Sequence, residues 1–233
     1  MFAARKIGNH YNSGGNLEWY TGGLFCRIPA ITSSRKFMTL SEQHQISLLE
    51  LARTALRAAL VGEGLPPLPE HEDLRQPAGC FVSLHERSGH RLRGCVGRLD
   101  AKLPLAEAVA TMAQAVLEDP RFLASPVTPE ELPGLEIELS ILSPLKPAEH
   151  PLDFEPLLDG IYLTFGDRCG CFLPQVARET GWSKQQLLDR LCTEKLGLSA
   201  LAWKHPGARL YRFTTLLIGP EPFVSGEDLS HAH

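Results

Sequence analysis

With 233 residues, 43% of them hydrophobic and 21% charged, the chain has ordinary globular composition and room for one large domain or two small ones sharing a core. A formal net charge of -4 excludes a general electrostatic grip on nucleic acid and leaves only a local basic patch as a route to one. No apolar run is long enough to cross a bilayer, so no membrane association is expected.

Residues 1–37 are rich in Gly, Asn, Ser and Arg and follow neither a helical nor a strand period. They read as a disordered extension, or as a misassigned start ahead of Met38. Thr39-Leu40-Ser41-Glu42 is a capping box that opens a helix over residues 39–60. In that helix Leu48, Leu49, Ala52, Ala55, Leu56, Ala59 and Leu60 share one face. Pro66, Pro67 and Pro69 make residues 61–78 a loop. A buried strand over 78–84, a turn at Ser88-Gly89 and a return strand over 91–96 follow.

Pro104 suits the first turn of a second helix, with Leu105, Val109, Met112, Ala113, Val116 and Leu117 on one face and Asp119-Pro120 at its end. Thr128-Pro129-Glu130-Glu131 caps a short helix before Pro133-Gly134. Residues 135–141 alternate: Leu135, Ile137, Leu139 and Ile141 on one face, Glu136, Glu138 and Ser140 on the other. Residues 161–165 and 169–173 form a hairpin across Gly166-Asp167-Arg168. Pro174 opens a helix stopped near Gly181, Ser183 caps another with Gln186 at the reciprocal position, and Gly197 lies past its end. Residues 210–217 read as a final strand, and 226–233 as a flexible tail. Hairpins interrupted by helix pairs, without regular strand–helix alternation, predict an α+β fold of antiparallel sheet flanked by helices.

The six cysteines are Cys26, Cys80, Cys95, Cys169, Cys171 and Cys192. A long chain of normal apolar content without a plausible signal peptide predicts reduced thiols and a cytoplasmic location. Cys169-Gly170-Cys171 would share one face of a strand, but no Cys or His pair has the spacing of a standard zinc site, so neither metal nor cofactor is expected.

Several blocks, in order, resemble the AMMECR-domain family, also called AmmeMemoRadiSam system protein A. Leu92-Arg93-Gly94-Cys95-Val96-Gly97 is similar to its signature, and the strand at 78–84 to the one before it. Asp119-Pro120-Arg121-Phe122, the alternating strand ending at Pro144, Phe172-Leu173-Pro174-Gln175-Val176-Ala177, Trp203 and Tyr211-Arg212-Phe213 resemble later blocks. The likeness spans about residues 40–225, consistent with one domain over 38–225. It implies two closely packed subdomains with the signature near their junction. It also implies a system that pairs such a chain with a Memo-like protein and a radical S-adenosylmethionine enzyme, without supplying a reaction.

The chemistry centres on Cys95. Gly94 and Gly97 permit torsions and close approaches that would expose its thiol, and Arg93 and Arg98 on either side would favour thiolate. Such a thiolate could attack an acyl, thioester or electrophilic base carbon. The competing reading packs Cys95 as a small residue under a tight turn. His85 and His90 bracket the hairpin turn at the end opposite Cys95 and read as surface residues. Glu136 and Glu138 share a face, and the resemblance makes Glu138 the better acid–base candidate. Asp119 and Arg121 form either a structural turn or an anion-binding fork. Gln175, at a helix start, could offer its amide to an anion or simply cap the first turn. The expected site is therefore Cys95 and Glu138 for chemistry, with Arg93, Gly94, Gly97, Asp119, Arg121 and Gln175 for binding. The alternative is a non-catalytic module: Gly94-Cys95-Val96-Gly97 has the G-x-x-G form that clamps an RNA backbone in another fold, and an exposed Trp182 or Trp203 could anchor a protein partner.

Overall fold

The computed structural model describes residues 39–223, so the expectations for 1–37 and 226–233 fall outside the described residues. Helix α1 (Glu42–Leu60) is capped by Ser41, whose Oγ accepts from the His44 backbone N–H, and not by Thr39. Strands β1 (Cys80–Glu86) and β2 (Leu92–Arg98) form the expected hairpin, β1 two residues later than expected and β2 starting one residue later and ending two later. Helix α2 (Leu105–Ala115) starts directly after Pro104 and runs on as a short 3₁₀ turn to Glu118. The Thr128 cap leads into a 3₁₀ turn, Pro129–Gly134, and then into β3 (Leu135–Leu142).

The second half of the chain supplies a two-residue β4 (Lys146–Pro147), β5 (Gly160–Phe165) and β6 (Arg168–Phe172). Helix α3 (Pro174–Thr180) ends at Gly181, which takes the left-handed φ of +64° that a glycine adopts freely. Helix α4 (Lys184–Arg190), capped by Ser183 and Gln186, continues as a π turn over Leu191–Lys195. The single strand expected over 210–217 is two strands, β7 (Ala208–Phe213) and β8 (Thr215–Pro222). Apolar patterning is continuous across the break, which is why the sequence reads as one strand. Thr214 marks the point where the chain leaves one sheet for another. Its N–H donates to Ser143 Oγ and its carbonyl accepts from Ser143 N–H, both at 2.9 Å.

The strands build two antiparallel sheets, ordered β2-β1-β3-β8 and β4-β7-β5-β6. In the first sheet, Cys80, Val82, Leu84, Val96, Ile137, Leu139, Ile141 and Ile218 pack on α1 and α2. In the second, Ile161, Leu163, Phe172 and Leu210 pack on α3, α4 and the turns after α4. Phe81, Leu99 and Leu142 of the first half meet Tyr162, Cys169, Tyr211 and Phe213 of the second in a third cluster between the sheets. The layers therefore run helix, sheet, sheet, helix, an α+β arrangement of two packed subdomains. The face that carries Glu136, Glu138 and Ser140 is turned towards the second sheet: Ser140 is buried and both glutamates are half-buried.

Candidate functional site

Sheet register decides what meets what between the layers. Ser83 of β1 pairs with Cys95 of β2 on one side and with Glu138 of β3 on the other. Residues directly opposite in an antiparallel pair project to the same face, so Cys95, Ser83 and Glu138 form a row across three strands. That row faces the second sheet, which covers only part of it. The uncovered part is a cleft of about 550 Å³ whose lining also includes Phe81, His85, Arg121, Cys171, Gln175 and Lys195.

Cys95 sits inside β2 and not at a strand end. Neither neighbouring glycine has a positive φ, so the bend expected from them does not form. Their role is close approach. A Cβ on Gly97 would lie 2.3 Å from the Phe81 ring, and one on Gly94 would lie 3.0 Å from a Val116 methyl. Because Gly94-Cys95-Val96-Gly97 is extended strand, it does not present the loop that clamps an RNA backbone elsewhere.

The two flanking arginines turn away from the thiol. Arg93 is the extra residue of a β-bulge: Leu84 pairs with Gly94 and His85 with Leu92, leaving Arg93 unpaired. Its guanidinium donates to Glu131 at 3.1–3.2 Å and lies over the Phe122 ring. Arg98 Nε donates to Asp100 at 2.7 Å. The expectation that these two cations favour thiolate at Cys95 is therefore corrected: their charge is spent on carboxylates outside the cleft.

Arg121 and Lys195 take that place. β2 is an edge strand, and Asp119 and Arg121 satisfy its backbone where a fifth strand would otherwise pair. The Cys95 N–H donates to Asp119 Oδ2 at 2.9 Å, and Arg121 Nη2 donates to the Cys95 carbonyl at 3.2 Å. Asp119 also accepts from the Arg121 backbone N–H and guanidinium at 2.6–3.0 Å. Burial alone would raise the pKa of Asp119, but the hydrogen bonds from Arg121 and the Cys95 N–H outweigh it and hold the carboxyl below its usual range. The Leu92–Gly97 and Asp119–Phe122 blocks are thus one structural unit, a strand and its clamp.

Cys95 is a half-buried residue that lines the cleft, and its thiol accepts from Ser83 Oγ at 3.2 Å. Burial raises its pKa; the Ser83 hydrogen bond and the charges of Arg121 and Lys195 work against that rise without cancelling it. The resting group is a neutral thiol. Cys171 lines the same cleft from β6, and burial pushes its thiol up to about 12. Cys80, Cys95, Cys171 and Cys192 are free thiols. Burial also raises the pKa of Glu138, opposed by His85 and by a hydrogen bond from Gln175. Gln175 Nε2 donates to Ser140 Oγ at 3.0 Å as well, which fixes the amide and leaves its Oε1 buried without a hydrogen-bond partner among the described residues.

Of the residues expected to form the site, Cys95, Glu138, Arg121 and Gln175 line the cleft, while Asp119 supports it from behind Arg121. Arg93 lies outside, and Gly94 and Gly97 act through packing. His85 and His90, read as surface turn residues, both line the cleft. The bulge at Arg93 and the alternation of Ser83 and His85 with buried Val82 and Leu84 put His85 on the cleft face; that parity is present in the sequence. Ser83, Cys171, Glu179 and Lys195 were not anticipated. Trp203 is buried, with Nε1 donating to Asp189 at 2.7 Å, and Trp182 packs against the second core, so neither is a free anchor. Among the described residues, no group of three or more His, Cys, Asp or Glu is disposed to hold a metal ion. No helix among them is long and apolar enough to cross a membrane.

The AMMECR1 family model matches residues 49–218, most of the chain and all of the cleft except Pro220. The chain belongs to the AMMECR1 family. Archaeal relatives match over most of their own length. A protein of Methanothermobacter thermautotrophicus is 37% identical over 187 residues, which cover 76% of this chain and 95% of that one. A protein of Thermofilum pendens is 35% identical over 191 residues, covering 75% and 88%. The crystal structure of an uncharacterised protein from Pyrococcus horikoshii matches with a TM-score of 0.70 at 31% identity, over 78% of this chain and 93% of that one. The α+β fold is therefore shared with a structure determined independently.

Proposed function

We propose that this AMMECR1 protein is a thiol-dependent enzyme that accepts an acyl group on Cys95. The observation that carries the reading is the row Cys95–Ser83–Glu138, three side chains in register on the floor of one cleft. Cys95 Sγ attacks the carbonyl carbon of a thioester and the new C–S bond forms. The Ser83 hydroxyl turns to donate to Glu138 and takes up the thiol proton as its own passes to the carboxylate; the original C–S bond of the thioester breaks, and the departing thiolate takes a proton back from Glu138. A carboxyl whose pKa is raised by burial is better matched to that exchange near neutral pH than an ordinary glutamate. Arg121 and Lys195 stand beside the thiol, where charge develops on the carbonyl oxygen.

Incubation with S-acetyl-N-acetylcysteamine tests the step. The expected result is one acetyl adduct by intact-protein mass spectrometry, mapped to Cys95, absent in Cys95→Ala and slowed at least tenfold in Glu138→Gln. An adduct on Cys171 or Cys80 in place of Cys95 would overturn it. One observation favours a second reading, a binding cleft without covalent chemistry: the resting thiol has a raised pKa. Under that reading no donor acylates Cys95. Placement of the activity beside a Memo-like protein and a radical S-adenosylmethionine enzyme rests on the family resemblance, and pull-down of those two proteins with the full chain tests it.

A further inference from the structure

An acyl group taken up by Cys95 must be passed on, and the cleft holds a second base besides Glu138. Glu138 lies two strands from Cys95, about 10 Å across the sheet, and reaches the sulfur only through Ser83. Its carboxyl also answers to α3: Gln175 donates to it, and Arg178 and Glu179 act on its charge with opposite signs. His85 is nearer. It follows Ser83 by two residues on β1, so both project into the cleft, and Ser83 is directly opposite Cys95. His85 and Cys95 are therefore diagonal neighbours, with backbones about 7 Å apart. The thiol is hydrogen-bonded to Ser83 and not to the imidazole. One water molecule spans such a gap with two contacts of about 3 Å.

A base of this kind needs a third group to orient it. Glu136 of β3 is directly opposite His85, so the two side chains share the cleft face. Glu136 is half-buried, and its Oε2 accepts no hydrogen bond from the described residues. His90 Nδ1 lies 3.1 Å from that oxygen, a contact that becomes an ion pair when the imidazole is protonated. His90 is exposed at the hairpin turn. Nucleophile, base and carboxylate thus follow one another along the sheet from Cys95 towards solvent.

We propose that the cleft passes the acyl group from Cys95 to water, so that the protein is a thioester hydrolase with His85 as base and Glu136 as the carboxylate that orients it. This rests on acylation of Cys95, and it names the acceptor. The imidazole takes one proton from the water as the water oxygen bonds to the acyl carbon. The C–S bond then breaks. Cys95 leaves as thiolate and takes that proton from the imidazolium. The acid product ionises, so one thioester and one water become a thiol, a carboxylate and a proton.

The test starts from full-chain protein acetylated on Cys95 with S-acetyl-N-acetylcysteamine and then freed of donor. Loss of the adduct is followed by intact-protein mass spectrometry in water labelled with heavy oxygen. The folded adduct is expected to decay at least tenfold faster than the same adduct unfolded in urea, and to release acetate carrying one labelled oxygen. Once acetylated, His85→Gln should decay at least tenfold more slowly than wild type, and Glu136→Gln two- to fivefold more slowly. Thermal melts confirm that both variants keep the fold. Three results would overturn the proposal while leaving acylation of Cys95 standing: decay no faster than in urea, migration of the acetyl group to Lys195, or variants that decay at the wild-type rate. Absence of any adduct on Cys95 would overturn both ideas together.

Discussion

The two faces of the first sheet are made by the same strands and have opposite characters. One face, turned to α1 and α2, carries Cys80, Val82, Leu84, Val96, Ile137, Leu139 and Ile141, all sealed from solvent. The other carries Ser83, His85, Cys95 and Glu138, and opens on the cleft. Cys80 and Cys95 show what the difference means. Both are free thiols on adjacent strands. Cys80 faces the helices, where burial pushes its thiol up to about 12 against the opposing charge of Arg98. Cys95 faces the cleft, with a hydroxyl and two cations for neighbours. A shift of one residue along a strand separates a thiol sealed under the helices from one that faces the cleft.

The contrast can be broken at several points. Leu139→Ala on the helix face removes a fully buried side chain, and is expected to cost about 3 kcal/mol in a urea unfolding titration. A loss below about 1 kcal/mol would mean that this face is not the stabilising one. Gly97→Ala on the other face drives a Cβ into the Phe81 ring, and should cost roughly 2 kcal/mol as the ring moves from its place between the sheets. Asp119→Asn removes the charge that holds Arg121 and the Cys95 N–H. Because Arg121 is part-exposed and screened, about 1 kcal/mol is the expected loss near pH 7. Its pH dependence has a definite sign. The folded pKa of Asp119 is lowered, so its contribution is fully present above the unfolded carboxyl pKa of about 3.9 and fades as pH falls through the folded value. Wild type and variant should therefore converge in acid; a gap that widens there would refute the clamp. Ser83→Ala, a small polar deletion on the cleft face, should cost about 0.5 kcal/mol or less in the same titration.

Much of this architecture was legible. The alternation over residues 135–141, the Ser183 cap and the hairpin around Gly166 were each decided by local chemistry, and the structure agrees with them. The failures came from tertiary facts with no local mark. Nothing near Glu138 announces that a second sheet will partly roof its face. Arg93 and Arg98 adjoin Cys95 in sequence, yet a bulge and two nearby carboxylates redirect them. Lys195 reaches the cleft from the far end of another helix, a hundred residues after Cys95. Closeness along the chain was a poor guide to the electrostatics of the thiol, while strand parity was a good one.

The crossing at Thr214 has a consequence for biosynthesis. Strand β8 closes the first sheet by pairing with β3 some eighty residues earlier, and Phe223 N–H reaches back to the Leu135 carbonyl at 2.8 Å. The segment that completes the first-made half is the last of the described residues to emerge from the ribosome. Until then the growing chain carries β3 with one hydrogen-bonding edge bare, so vectorial folding of the N-terminal half stops one strand short.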